Sequence, residues 1–211
     1  MQDAPLPLSP KAHHHAETLK RHPALSRLVL TGFMGCGKST LGRKLAGVLG
    51  FRFVDTDNAI EQFHRKKIAR LFQEDGEATF RRYESECLAR CLTQERTVIA
   101  TGGGALVDQD NLDLALDLAL VIYIEVDEAH LLERVLFSPK ERPLINVKDP
   151  SSVVKRLYAE RTPFYEQAQV HVQTAYLKPQ EALEAVLESL YNYVTYFLPS
   201  MPKNVPTTEP D

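Results

Sequence analysis

Gly32-Phe33-Met34-Gly35-Cys36-Gly37-Lys38-Ser39 follows the short apolar run Leu28-Val29-Leu30 and leads into a stretch where Leu41, Leu45, Val48 and Leu49 recur at helical spacing. The octapeptide satisfies G-x-x-x-x-G-K-[ST]. Its glycines let the backbone turn so that successive N–H groups face an anion, and the following helix adds the positive end of its dipole. Lys38 can reach the β- and γ-phosphates of a nucleotide, and the Ser39 hydroxyl can ligate Mg²⁺. Taken alone, the pattern also fits an ordinary glycine-rich turn. The strand before it and the amphipathic helix after it decide for a phosphate cradle, made of Gly35, Cys36, Gly37, Lys38, Ser39 and Thr40.

Outward from this turn, the same alternation repeats. Residues 51–54 read as a second strand stopped by Asp55-Thr56-Asp57, and 58–73 as a helix with Ile60, Phe63, Ile68, Leu71 and Phe72 facing a core. Asp75-Gly76 breaks the chain before a long helix predicted over 78–93. A third strand, 97–100, ends at Thr101-Gly102-Gly103-Gly104, and 120–126 is the strongest strand in the chain. Helices are predicted over 129–136 and 153–160, with a proline-punctuated loop over 137–150 between them. A fifth strand over 169–172 precedes a last helix that starts at Pro179 and runs to about Tyr193. Strands alternating with helices predict an α/β fold, a five-stranded parallel sheet with helices on both faces. Ligands of such sheets bind beyond the strand C-termini, where the informative residues fall.

Composition narrows the class. The chain has 211 residues, 44% hydrophobic and 25% charged, with a formal net charge of -3. That length suits one domain, able to bury roughly 70% of its unfolded surface without disulfides or a structural metal. The near-neutral balance argues against nucleic-acid partners, which select for clustered Lys and Arg. Cys36, Cys87 and Cys91 are too few and too odd a set for a disulfide framework, which points to a reducing compartment. Cys87 and Cys91 lie four apart, but no His or Cys stands at metal-site spacing from them. Residues 1–26, with Pro5, Pro7, Pro10 and His13-His14-His15, lack the apolar stretch of a secretory signal. No segment reaches the roughly 18 apolar residues of a membrane span. A cytoplasmic protein with no membrane partner is expected. Residues 1–26 read as a disordered extension, 27–193 as one domain and 194–211 as a disordered tail.

What kind of phosphate-binding protein this is depends on the other strand ends. Switch GTPases need an Asn-Lys-x-Asp segment, and none is present. Motor and transporter ATPases end a long apolar strand in an acid, whereas the third strand here ends in three glycines. Asp55 is then the natural carboxylate beside Ser39 for a metal shell. Asp57, two residues on, points the same way and reaches farther, toward an acceptor hydroxyl. Capping of the next helix is the plain alternative for Asp-Thr-Asp, and compatible with ligand binding. Arg81 and Glu84 are three apart on one helix face, so Glu84 can brace the guanidinium for a bidentate carboxylate clamp, although such pairs are commonly solvated surface. Gly102, Gly103 and Gly104 let a ligand approach backbone amides. Arg142 in the long loop is a cation suited to a closing lid, and Arg161 ends the next helix.

Taken together, G-F-M-G-x-G-K-S-T-x-G-R, D-T-D, D-G-E-x-x-F-R-x-x-E, G-G-G, R-P-L and R-x-x-x-Y, in this order, resemble the shikimate kinase family from about Ser26 to about Leu190. The resemblance implies a P-loop kinase with substrate-binding helices and a lid over about 137–150. Its reaction would be MgATP-dependent phosphorylation of the shikimate 3-hydroxyl on the route to chorismate and aromatic amino acids. By the same resemblance Asp57 binds the shikimate hydroxyls, and Arg81 and Arg161 clamp its carboxylate. Gly102, Gly103 and Gly104 line the ring, Arg142 covers the phosphates, and Arg134 with the loop before Pro179 flanks adenine. Lys38, Asp57 and Arg142 form the expected catalytic set. Mg²⁺ is the expected cofactor and ATP the co-substrate, held in a monomer. Cys36 replaces the usual small residue and is expected to contribute its backbone. Two alternatives remain at this stage: a kinase of a related acid such as quinate or gluconate, and a non-catalytic ligand sensor.

Overall fold

In the computed structural model, which describes residues 7–23, 25–137, 145 and 148–198, the strands are β1 (Arg27–Thr31), β2 (Arg52–Asp55), β3 (Thr97–Ala100), β4 (Leu120–Glu125) and β5 (Val170–Gln173). They form one sheet in the order β2-β3-β1-β4-β5, and every pairing is parallel. Parallel neighbours need long crossovers, which the sequence supplies as helices. Leu28, Val29, Leu30, Val98, Ile99, Val121 and Ile122 are fully buried. Such unbroken apolar strands are the mark of a sheet covered on both faces.

Register places the site. Leu30 pairs with Ala100 on one side and Ile122 on the other, and Asp55 also pairs with Ala100. The C-terminal ends of β2, β3 and β1 therefore lie level. They release Asp55-Thr56-Asp57, the triglycine loop and the phosphate cradle onto one edge. The cradle leads into α2 (Lys38–Leu49).

Beyond β2 the predicted single helix over 58–73 is broken at a corner. α3 (Thr56–His64) stops at Arg65, in the left-handed region with φ 52°. α4 (Ile68–Leu92) then begins a new direction. Glu61 holds the corner: one carboxylate oxygen accepts Ile68 N–H at 3.0 Å and the other pairs with Lys67 at 2.8 Å. The predicted Asp75-Gly76 break appears inside α4, where Gly76 has φ 80° and ψ 164°. Ile60, Leu71 and Phe80 form a small separate core beneath these two helices. α5 (Gln109–Leu118), α6 (Glu128–Leu136), α7 (Pro150–Tyr165) and α8 (Pro179–Asn192) complete the layers.

The N-terminal extension departs from its expected disorder. Pro10–Arg21 is a helix, α1, with Pro10 at its first position and Ser9 capping it by accepting Ala12 N–H at 3.3 Å. Ser9 is itself fixed to α8, since its N–H and hydroxyl donate to the two Glu184 carboxylate oxygens at 2.9 and 2.7 Å. Ala12, His15, Ala16 and Leu19 share the buried face, and the His15 ring stacks on Tyr191 at 4.2 Å. The 3–4 spacing was in the sequence, but two alanines and a histidine carry most of it, with Leu19 its one large apolar residue. Leu19→Ala, at a position with 0% exposure, should cost about 2–5 kcal/mol in urea unfolding. An unmoved midpoint would mean that α1 is not docked.

At the other end, Tyr193–Phe197 continues α8 as a π-helical turn with Val194 buried. The rest of the expected tail lies outside the described residues. No described helix is long and apolar enough to cross a membrane.

Candidate active site

The turn after β1 bends through three glycines of positive φ: Gly32 at 136°, Gly35 at 86° and Gly37 at 97°. Gly32 has a second reason to lack a side chain, because a Cβ there would stand 2.7 Å from the Ile124 carbonyl oxygen. Gly37 precedes α2 in the left-handed conformation and offers no side-chain cap. The first amides of α2 are thus left for an anion, reinforced by the helix dipole. Lys38 is folded inward, with 7% exposure. Its ammonium donates to the carbonyls of Gly32 at 2.7 Å and Phe33 at 3.0 Å, and to Cys36 Sγ at 3.5 Å. Cys36 was expected to contribute mainly its backbone, and its thiol also stands within reach of this lysine.

Across from the cradle, Asp55 caps the next helix and also meets the Ser39 hydroxyl. Oδ2 accepts the Ser39 hydroxyl at 2.5 Å, and Oδ1 accepts Asn58 N–H at 3.1 Å as the cap of α3. A hydroxyl and a carboxylate side by side are hard oxygen donors of the kind Mg²⁺ prefers when phosphates and water complete its shell. Among the described residues no group of three or more His, Cys, Asp or Glu could cage a metal. A cation at this place would depend on the nucleotide's phosphates.

The arginines converge from two helices. Arg81 of α4 donates to Glu84 at 2.5 Å and to Glu77 at 2.8 Å, which fixes its guanidinium plane. Glu84 is 2% exposed. Burial pushes its carboxyl up from the ordinary value, against the pull of Arg81 and Arg161, and neighbouring Asp57 adds to the rise. Arg161 of α7, also buried, reaches the Gly103 carbonyl at 3.1 Å. The triglycine loop runs between these groups. A Cβ on Gly102 would meet Asp57 Oδ1 and Glu84 Oε1, each at 2.6 Å. Glycine here lets two carboxylates share one corner.

These groups line one cavity of about 590 Å³. Gly35, Gly37, Lys38, Ser39, Thr40, Asp55, Asp57, Arg81, Gly102, Gly103, Gly104 and Arg161 all contribute to its wall. A second cavity of about 260 Å³, on the other side of the cradle, shares Gly37 and Thr40 and adds Cys36, Arg134, Leu177 and Pro179. Arg134 is pinned there by a 3.0 Å bond to the Ala175 carbonyl. Arg142 and most of the expected lid lie outside the described residues.

Sequence reasoning placed Ile68 and Phe72 in a core and gave Lys67 no role, yet all three complete the first cavity from the start of α4. Their arrival depends on the corner at Arg65, which a continuous apolar periodicity concealed. Thr56 and Tyr165 were also passed over. Their hydroxyls bond the triglycine loop, at Gly102 N–H and at the Gly103 carbonyl. The signal available was their place inside motifs already noticed, between Asp55 and Asp57 and four residues after Arg161.

A family model described as shikimate kinase matches residues 34–191. A shikimate kinase from Caulobacter vibrioides is 41% identical over 163 residues, covering 77% of this chain and 81% of that protein. One from Thermus thermophilus is 34% identical over 166 residues, covering 79% and 90%. The solved structure of shikimate kinase from Acinetobacter baumannii in complex with shikimate superposes with a TM-score of 0.74 at 29% identity, covering 85% of this chain and 96% of that one.

Proposed function

This chain belongs to the shikimate kinase family, and on that premise we propose that it transfers the γ-phosphoryl group of ATP to the 3-hydroxyl of shikimate. The observation that carries the reading is the single cavity in which a phosphate cradle faces a carboxylate and two arginines held for a second, acidic ligand. Phosphoryl transfer needs alignment and charge neutralisation more than covalent chemistry. The cradle amides and Lys38 hold and neutralise the phosphates, with adenine in the second cavity beside Arg134. Ser39 and Asp55 would hold Mg²⁺, which when bound neutralises phosphate charge. Asp57 orients the acceptor hydroxyl and takes its proton as the bond to phosphorus forms. Arg81 and Arg161 grip the shikimate carboxylate, and Gly102, Gly103 and Gly104 flank the ring. Arg142 is assigned to the lid from the sequence alone.

Residues 27–193 together with the docked α1 act as one kinase domain in this reading, and the protein works as a cytoplasmic monomer supplying the chorismate route. Coupled ADP release with shikimate, quinate and gluconate tests the assignment. The expected result is turnover that depends on shikimate, with the highest kcat/KM for that acid. A higher value for quinate or gluconate would reassign the acceptor, and no acid-dependent turnover would leave a ligand sensor.

A further inference from the structure

The triglycine loop is held by two hydroxyls that none of the roles above includes. Thr56, 1% exposed, accepts Gly102 N–H at 3.0 Å. Tyr165, equally buried, donates a short hydrogen bond to the Gly103 carbonyl, which also receives Arg161. The Gly102 carbonyl is taken by Ala105 N–H at 3.2 Å and the Gly104 carbonyl by Val107 N–H at 3.1 Å. Among the described residues, only the amides of Gly103 and Gly104 are left in this loop without a protein acceptor.

Three glycines in a row do not keep such an arrangement by themselves, because their φ and ψ are nearly free. A trans peptide is planar, with its C=O and N–H pointing opposite ways. Drawing the Gly103 carbonyl toward α7 therefore turns Gly104 N–H away from α7. Arg161 and Tyr165 lie four residues apart and share a face of α7, so both reach that carbonyl. Once the Arg161 guanidinium engages a substrate carboxylate, Tyr165 is the donor that remains. Burial pushes its phenol up, so the hydroxyl stays a donor at physiological pH.

We propose that Thr56 and Tyr165 are positioning residues, which fix the loop's peptide planes so that the Gly103 and Gly104 amides stay available as donors to the acidic acceptor substrate. The inference rests on the functional reading of the cavity given above. Tyr165→Phe and Thr56→Val each remove one hydroxyl, whereas Thr56→Ser keeps it. Each removal should raise the shikimate KM about tenfold, the scale of one lost hydrogen bond. The ATP KM should stay within about twofold and kcat within about threefold, and Thr56→Ser should return the shikimate KM to near the wild-type value. Circular dichroism melting identifies which variants are folded. If Tyr165→Phe is not, the Thr56 pair carries the test. An unchanged shikimate KM in folded variants, or a parallel rise for both substrates, overturns the proposal. Wild-type protein that releases no ADP with shikimate sinks the functional reading and the proposal with it, whereas an active wild type with unresponsive variants sinks the proposal alone.

Discussion

Lys38→Ala lowers kcat by about two to three orders of magnitude at saturating ATP and shikimate, the effect of removing one preorganised donor from a developing charge. The argument starts from the resting position of this ammonium. It has three N–H donors, and the cradle meets them with two carbonyls and the Cys36 thiol. A nearly buried ammonium must be satisfied by something, and here the chain satisfies it without a ligand. When phosphates occupy the cradle, the same charge lies within reach of them, with no reorganisation beyond a change of partner. Alanine removes that charge while the α2 amides remain, so a folded protein with residual nucleotide affinity and little turnover is expected. Lys38→Arg should not restore activity, since a planar fork does not replace a compact ammonium in a closed loop. ADP release under single-turnover conditions separates this loss from slow product release. A kcat within tenfold of wild type would remove Lys38 from the catalytic set.

The cradle was legible because its chemistry is local: glycines of positive φ, a lysine and a hydroxyl are adjacent in the chain. The same holds for Asp55, whose neighbour in space, Ser39, the motif had already placed. What the sequence concealed was long-range or unconventional. The corner at Arg65 is invisible to apolar periodicity, because Ile60, Ile68 and Leu71 stay in register across it. It is held by Glu61, a residue that reads as surface charge. α1 was hidden because it follows a proline-rich start and carries three histidines in a row, although Pro10 at the first position and Ser9 before it are starting signals. The hydroxyls of Thr56 and Tyr165 gain meaning only when β2, β3 and α7 bring them to one glycine loop. Arg81 lies between these cases. Its brace by Glu84 follows from helical spacing, but the burial of that Glu84, which separates the pair from an ordinary surface one, required the fold.

That burial makes Arg81→Ala the second large effect, an increase of about 100-fold in the shikimate KM with the ATP KM within about twofold. In the intact site Glu77 and Glu84 hold the guanidinium plane, so its remaining donors approach a substrate carboxylate with little further loss of freedom. Alanine deletes those donors and also leaves Glu84 nearly buried, with Asp57 close by across Gly102. Stability should therefore fall as well, and in a pH-dependent way. The Glu84 carboxyl is already raised above its ordinary value of 4.5 by burial, with Arg81 opposing the rise. Without Arg81 the rise is larger, opposed by Arg161 alone of the two arginines. The folded variant then keeps a proton that the unfolded chain releases above 4.5, so its stability is greatest below that pH and declines as pH climbs toward the elevated pKa. The gap in Tm between variant and wild type should accordingly widen from about pH 5 to about pH 8. A constant gap would show that Glu84 does not depend on Arg81, and an unchanged shikimate KM would show that Arg81 does not grip the substrate.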